Sequence, residues 1–415
     1  MREEKNGGYL AVIAASIGHA YTHWFPATFY LLLPLIKDEL NLSYTEMGFL
    51  ITVRFLASML ANLPSGMVTD MFKRYNLLMA ISLTWVGLPY LLAGFSQSYG
   101  ILLGCMILIG AGNNLWHPAA ISALTEIYPK KKGWAMGWHA SAANIGDALG
   151  PFLTGILLAW WSWRTVLKVS FIPGIAFGVL IWWMLGEASR RAALAEAGAN
   201  PGGVPKKREK TMSFREYFRA FGQLLLNPDV FILSFINGIR SLVQNGLSTF
   251  LPSFFMHVQH LSPWLSGIYM TIIQVAGVVA APISGHASDR FGRKKVTTAA
   301  LFSTSVAVFL IALLNVPWLF VVFLGVVGFF LYSLRPVLFA WTMEAAPDNM
   351  GGSAIGIQFS LQSGLGALAP VVGGWIADKL GLLSTFYFLA VMVLLSNVFV
   401  FLVKEKKTEE RTTVN

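Results

Sequence analysis

The sequence predicts an all-α membrane protein with twelve transmembrane helices in two pseudo-symmetric six-helix bundles. Hydrophobic residues make up 55% of the 415 residues, charged residues only 12%, and the mean hydropathy is +0.62. These values lie outside the range of soluble globular proteins. Twelve apolar spans can be distinguished, most of them long enough to cross about 30 Å of hydrocarbon. The second half of the chain also repeats the first at an offset of 218 or 219 residues.

The apolar spans fall into two groups of six, separated by a polar segment at residues 186–227. The first part of this segment is rich in Ala, Gly, Pro and charge, which predicts a flexible linker. Its second part, Ser213 to Leu226, predicts an amphipathic helix on the membrane surface. The predicted division is a first bundle at 1–185, the linker at 186–227, a second bundle at 228–403 and a tail at 404–415. The spans are 9–33, 44–68, 77–95, 99–125, 133–161, 165–185, 229–256, 264–287, 296–315, 317–344, 352–379 and 382–403.

Corresponding spans of the two halves carry matching residues. Parallel repeats of this kind occur in transporters that bind their substrate near the bilayer midplane, between the repeats. The matches are Pro34 with Pro252, Ser43 with Ser262, Gly48 with Gly267, His117 with Arg335, Glu126 with Glu344, Pro129 with Pro347, Pro151 with Pro370 and Gly155 with Gly374.

The net charge of +10 indicates membrane topology and does not indicate a nucleic-acid partner. If both termini are cytoplasmic, 23 of the 30 Lys and Arg residues fall in cytoplasmic segments and only four on the outer side. This asymmetry is the usual one for an inner-membrane protein. The single cysteine, Cys105, lies in an apolar span, so no disulfide within the chain is possible. We expect a monomer in the lipid bilayer.

Two basic loops at half-chain spacing identify a family resemblance. Residues 285–295 read Gly-His-Ala-Ser-Asp-Arg-Phe-Gly-Arg-Lys-Lys, and residues 66–75 form a weaker copy in which Lys73 stands where a glycine is usual. The pair resembles the signature loops that follow the second and eighth helices of the major facilitator superfamily. The resemblance implies a secondary transporter that works by alternating access.

The resemblance also implies a conformational latch at these loops. In the family, the aspartate receives amide donors from a neighbouring helix N-terminus, and the arginines meet acidic residues at the ends of the fourth and tenth spans. The alternative is that the loops are only positive-inside anchors. The matching residues here are Asp70, Arg74, Asp289, Arg290, Arg293, Glu126 and Glu344.

A second resemblance is narrower. His117-Pro118, Glu126 and the stretch at 144–151 are similar to the fosmidomycin resistance group of drug exporters, although Ala120 stands where that group has a glutamate. It implies efflux of an anionic or phosphonate-like drug.

Charged residues inside the spans point to the cargo. They cost about 2.5–3.5 kcal/mol each on insertion scales, so they usually face a cavity or a partner. Arg54, Arg240 and Arg335 outnumber Asp147 by three to one, which favours an anion that guanidinium groups can bind through paired hydrogen bonds. The alternative is that an arginine pairs with Asp147 or with carbonyl groups to hold helices together.

The polar faces of the first, fourth, seventh and tenth spans are predicted to converge on the substrate. Residues three or four apart share a helical face, as His19 and His23 do. The candidate substrate-binding residues are Arg240, Arg335, Arg54, His19, His23, His117, Asn113, Gln244 and Tyr332.

Asp147 and His117 are the candidates for proton coupling. Burial disfavours the charged form of a carboxylate, and histidine titrates near neutral pH. A salt bridge from Asp147 to Arg54 or Arg335 is the alternative for the carboxylate. A metal site formed by His19, His23 and His117 has no carboxylate or thiolate close in sequence, so we expect none.

The expected function is transport of a small organic anion, a carboxylate or a phosphonate, coupled to protons. Efflux is slightly favoured over uptake of a carboxylate nutrient, and a membrane ligand sensor is a further alternative. No nucleophile with an oriented base appears in the sequence, so neither enzymatic activity nor a cofactor is expected.

Overall fold

The computed structural model describes residues 2–72, 74–128, 131–199, 222, 224, 226–313, 317–347 and 351–403. This part of the chain contains thirteen α-helices, one π-helical turn at Phe254–Val258, and no strand. The helices of the first half are α1 (Arg2–Glu39), α2 (Tyr44–Phe72), α3 (Tyr75–Phe95), α4 (Tyr99–Asn113), α5 (Trp116–Ile127), α6 (Lys132–Leu158) and α7 (Trp163–Ala199). Those of the second half are α8 (Pro228–Ser253), α9 (Pro263–Phe291), α10 (Arg293–Leu313), α11 (Pro317–Ala345), α12 (Gly351–Leu380) and α13 (Leu382–Leu402).

The helices follow the predicted spans, with α4 and α5 together forming the fourth. The break between them lies at Asn114, whose side-chain amide donates to the carbonyl groups of Ser58 and Gly110. Pro118 then lies in the first turn of α5, where its missing N–H removes no helical hydrogen bond. Helix α7 continues to Ala199, past the predicted start of the linker, and most of the predicted amphipathic helix at 213–226 lies outside the described residues.

Eight spans of the described chain are individually long and apolar enough to cross a membrane. The four remaining spans of the predicted twelve are α1, α2, α6 and α8. These four contain the intramembrane charges Arg54, Asp147 and Arg240, as well as His19 and His23. The helices without a sufficiently long apolar stretch therefore carry most of the candidate site, and in such helices a protein core can shelter polar groups from lipid.

The two halves have the same helix pairing. In the first half α1 packs on α6, α2 on α4 and α3 on α7, and in the second half α8 packs on α12, α9 on α11 and α10 on α13. The halves meet along α2 with α12 and α6 with α9, which are again equivalent pairs. The predicted arrangement of two related six-helix bundles is therefore confirmed.

Small residues allow the halves to touch at two equivalent crossings. A Cβ on Gly48 would collide with the carbonyl oxygen of Pro370, and one on Gly374 with the carbonyl oxygen of Tyr44. At the other crossing, a Cβ on Gly267 would collide with the carbonyl oxygen of Pro151. Matching positions of the sequence repeat therefore bring the helix backbones into direct contact, as small residues do in membrane helix packing.

Candidate functional site

Arg240 is held on α8 by uncharged side chains. Its side chain is only 1% exposed. Nε donates to Oδ1 of Asn237 at 2.9 Å, and Nη1 donates to Oε1 of Gln244 at 2.7 Å. Asn237 and Gln244 lie three residues before and four residues after Arg240, so all three share one helical face. The amide oxygens orient the guanidinium group but do not neutralise its charge.

Helices α11 and α12 complete this arginine network, which we define as Asn237, Arg240, Gln244, Tyr332 and Gln362. Nε2 of Gln244 donates to the Tyr332 hydroxyl at 3.3 Å, and Nδ2 of Asn237 donates to Oε1 of Gln362 at 2.9 Å. The sequence indicated Arg240, Gln244 and Tyr332 but missed Asn237 and Gln362. The helical spacing from Arg240 could have revealed Asn237, whereas Gln362 is 125 residues from Asn237 in the chain.

Arg335 lies on α11 and faces both halves of the protein. Its guanidinium group interacts electrostatically with Arg240 in the second half and with Asp147 and His117 in the first. Within the described part of the chain it makes no hydrogen bond or ion pair, and its nearest aromatic partner is the Phe339 ring, 5.7 Å from the guanidinium carbon. Arg335 is thus a positive charge between the halves without a direct acceptor.

Arg54 lies on α2 and is bound to α1. Nη2 donates to the Tyr30 hydroxyl at 3.1 Å, and the guanidinium carbon is 4.7 Å from the centre of the Phe55 ring. The side chain is buried, and Nε has no hydrogen-bond partner in the described part of the chain. Tyr30 was not identified from the sequence, because a tyrosine in an apolar span carries no distinctive signal.

Asp147 is paired with a histidine. Nδ1 of His23 lies 3.1 Å from each carboxylate oxygen of Asp147. The sequence-based alternative was a salt bridge from Asp147 to Arg54 or Arg335, and in the described chain the direct partner is His23. Arg335 contributes only a longer-range attraction.

The histidine cluster consists of His19, His23, His117 and His139. The His19 ring centre is 4.9 Å from that of His23, 5.2 Å from that of His117 and 3.8 Å from that of His139, on which it stacks. Nδ1 of His19 donates to the backbone carbonyl of His139 at 2.6 Å. The structure therefore brings the three predicted histidines together and adds His139 from α6.

Asn113 is the remaining candidate binding residue. It is half-buried at the end of α4, and its Oδ1 is buried without a hydrogen-bond partner among the described residues. An unsatisfied buried acceptor of this kind can receive a donor from a ligand or from water. Asn113 is four residues before His117, but the two residues lie on different helices, α4 and α5.

The C-terminal signature loop forms ion pairs within the second half. Nη2 of Arg293 lies 2.6 Å from Oδ1 of Asp289 and 2.9 Å from Oε1 of Glu344. Arg290 is exposed and stacks near the ring of Phe291.

The N-terminal copy differs from this arrangement. Glu126 accepts a hydrogen bond from the Tyr75 hydroxyl at 2.7 Å, and Arg74 is exposed at the start of α3. The Asp70 side chain and Lys73 lie outside the described residues.

Contacts that the sequence analysis missed join the halves at the face opposite the signature loops, here called the closed face. Asp378 of α12 accepts hydrogen bonds from the backbone N–H groups of Tyr44 and Thr45, at 2.8 and 2.9 Å, and from the Thr45 hydroxyl at 2.5 Å. Nε2 of His257 lies 2.8 Å from Oδ2 of Asp38. These groups tie the N-terminus of α2 and the end of α1 to the second half.

Comparison of the chain with known protein families and structures agrees with this architecture. A sequence model described as Major Facilitator Superfamily matches residues 13–370 and 270–414. The chain belongs to the major facilitator superfamily. It is therefore a multi-pass membrane transporter and not an enzyme, and its transported substrate is a small molecule.

Similar proteins cover almost the whole chain at low identity. The fosmidomycin resistance protein of Escherichia coli is 22% identical over 94% of this chain and 91% of its own length. The hexuronate transporter of Bacillus subtilis is 24% identical over 86% of this chain and 85% of its own length. A bacterial homologue of the human lysosomal transporter Spinster, solved in an inward-facing, unoccupied conformation, superposes with a TM-score of 0.83 at 16% identity, covering 96% of this chain and 97% of its own.

Proposed function

We propose that the protein transports a small organic anion, a carboxylate or a phosphonate, across the inner membrane by alternating access. The observation that carries this proposal is the pair of guanidinium groups of Arg240 and Arg335, which influence one another electrostatically and have only neutral or distant partners. Buried charges are normally paired. A bound anion would supply the missing negative charge, and the arginine fork suits the two oxygens of a carboxylate or phosphonate.

The names of similar proteins favour the same class of cargo. A hexuronate is a carboxylate, and a transporter for it is among the relatives. The fosmidomycin resistance protein supports the efflux direction, which we slightly favour over uptake of a carboxylate nutrient. The alternative from another functional class is a membrane sensor that binds the anion without transporting it.

Binding measurements test the anion site directly. Purified protein would be titrated with glucuronate and with fosmidomycin, and the same titrations repeated with Arg335→Ala and Arg240→Ala. Removing one charge-assisted interaction of about 1.5–3 kcal/mol should weaken binding about 10- to 150-fold. The matched control is Arg164→Ala, because Arg164 pairs with Glu39 at the closed face. Unchanged affinity in both Arg335→Ala and Arg240→Ala, or an equal loss in the control, would refute the proposal.

Proton coupling is the second part of the proposal and involves Asp147 with His117. Asp147 supports it because its carboxylate pairs with His23 and interacts electrostatically with Arg335, so a bound anion at Arg335 would change the field at Asp147. Asp147→Asn should keep anion exchange in proteoliposomes but lose accumulation driven by a pH gradient. Undiminished accumulation would show that Asp147 has no part in coupling.

The sign of the gradient that drives accumulation in the unaltered protein distinguishes efflux from uptake.

The transport cycle follows from the closed face. The distribution of Lys and Arg supports a cytoplasmic position for the signature loops and both termini, which would put the closed face on the outer side. We therefore interpret the conformation as inward-facing. In this conformation Arg293 pairs with Asp289 and Glu344 within its own half. In the proposed cycle, the signature-loop residues rearrange to latch the cytoplasmic side of the opposite, outward-facing state. These residues are Asp70, Arg74, Glu126, Asp289, Arg290, Arg293 and Glu344.

A further inference from the structure

We propose that His19, His23 and His117 form a binding site for a divalent transition-metal ion of the zinc class. A potential ligand nitrogen of each residue lies within 4.8 Å of the other two. His19 and His23 are four residues apart on α1, and His117 lies in the first turn of α5. All three residues lie in the first half, so the site does not depend on how the halves are arranged. An ion bound to His117 would leave proton coupling to Asp147.

The hydrogen bonds of His19 and His23 prepare their rings for a metal. The His139 carbonyl can only accept, so Nδ1 of His19 carries the hydrogen and its Nε2 presents a lone pair. Nδ1 of His23 faces both oxygens of the Asp147 carboxylate, which selects the same tautomer. Metal-binding histidines typically donate their second ring nitrogen to a carbonyl or a carboxylate in this way.

The free nitrogen of His19 is an independent indication of a ligand. Among the residues that the structure describes, none is a hydrogen-bond partner of the buried Nε2 of His19, and His19 is only 6% exposed. Buried polar atoms without a partner are rare in folded proteins and often indicate an absent ion or water. The imidazoles of His23 and His117 lie beside this nitrogen. A cation that accepts several nitrogen lone pairs is therefore the occupant that fits.

The donor set determines the class of ion. Three neutral imidazoles suit zinc, cobalt or nickel, whereas calcium and magnesium require oxygen ligands. In a tetrahedral zinc site with bonds of about 2.0–2.1 Å, ligand nitrogens lie about 3.4 Å apart, so small ring rotations would complete the site. The carboxylate of Asp147 would reduce the net charge of the ion and its surroundings. The contact of Asp147 with His23 was not expected from the sequence, because the two residues are 124 positions apart.

Calorimetric titration of the full-length protein, purified without a polyhistidine tag, with zinc chloride tests the site. We expect one zinc ion per chain, and binding at least about 100-fold weaker in His19→Ala and in His117→Ala. Asp147→Asn should weaken binding about 10- to 100-fold, the usual effect of losing an outer carboxylate. His260→Asn is the matched control, because His260 is exposed outside the cluster and its positive φ of 54° suits asparagine.

X-ray absorption on the unaltered protein, loaded with one equivalent of zinc, keeps the proposal testable if the variants fail to fold. The expected spectrum has three imidazole nitrogens at about 2.0–2.1 Å. A shell without imidazole, the absence of stoichiometric binding, or full affinity in folded His19→Ala and His117→Ala would each overturn the assignment.

Discussion

Replacing Asp378 by alanine should open the closed face. The carboxylate of Asp378 accepts three hydrogen bonds from Tyr44 and Thr45 at the N-terminus of α2, on the other half of the protein. The first N–H groups of a helix have no partners within it and carry partial positive charge. Asp378 satisfies two of them only while the halves are in contact, so its removal selectively destabilises the closed arrangement.

The size of the effect follows from the exposure of the carboxylate. A hydrogen bond to a charged group contributes about 1.5–3 kcal/mol when buried. Asp378 is exposed, so solvent screening reduces each contribution to roughly 0.7 kcal/mol. Three such bonds give about 2 kcal/mol, which corresponds to about a 30-fold increase in the ratio of open to closed molecules at this face.

Cysteine labelling at the closed face can measure this ratio. Ser253 is fully buried there and its hydroxyl contacts Sδ of Met47 across the halves. Ser253→Cys, in a Cys105→Ala background, provides a nearly isosteric thiol that reacts with an impermeant maleimide only when the face opens. If opening and closing are fast relative to the reaction with maleimide, the labelling rate is proportional to the open population. Asp378→Ala should then raise the labelling rate about 30-fold.

Glu46 provides the matched control. Its carboxylate accepts hydrogen bonds from the backbone and hydroxyl of Ser43, at 2.8 and 2.9 Å, at the start of the same helix. These bonds lie within the first half, so Glu46→Gln should leave the labelling rate nearly unchanged. An unchanged rate in Asp378→Ala, or an equal increase in Glu46→Gln, would refute the reasoning.

Three further predictions use the same chain. Gly48→Ala should also accelerate labelling, since its Cβ would collide with the carbonyl oxygen of Pro370, whereas Gly104→Ala, which faces open space, should not. His257→Gln removes a partly exposed contact with Asp38 that contributes at most about 1 kcal/mol, so labelling should rise less than about 5-fold. Arg293→Ala should lower the transport rate at saturating anion without changing anion affinity, because Arg293 contacts Asp289 and Glu344 and no residue of the arginine network. Flux and binding assays on the same preparation check this last expectation.

Hydropathy and the internal repeat were sufficient to predict the helices and the two bundles. In lipid, each span must satisfy its backbone hydrogen-bonding groups internally. The length and apolar character of a span therefore nearly determine its secondary structure. The break between α4 and α5 was not predicted, because it depends on a contact from Asn114 to Ser58 on another helix. The repeat likewise revealed that Gly48 matches Gly267, but not that Gly48 packs against Pro370.

The candidate site was only partly visible in the sequence. Arg54, Arg240 and Arg335 stood out because charges are rare in apolar spans. Their partners were harder to predict, because a neutral acceptor such as Gln362 resembles any other polar residue of a span. Charge alone favoured an arginine partner for Asp147, whereas the fold brings His23 within hydrogen-bond distance. Asp378 was overlooked, because an acidic residue near the end of a span has no special meaning until the helix opposite it is known.

The two helix crossings have a mechanical consequence. Both lie near one end of the molecule, where Gly48 meets Pro370 and Gly267 meets Pro151, and at each point two backbones touch without an intervening side chain. Such points can act as a pair of fulcrums. Rotating one bundle by about 20° around them would displace its far end, about 30 Å away, by roughly 10 Å. Rotation of one bundle against the other would thus barely disturb the packing at the two crossings. The same rotation would open a gap for a small solute at the end of the molecule far from them.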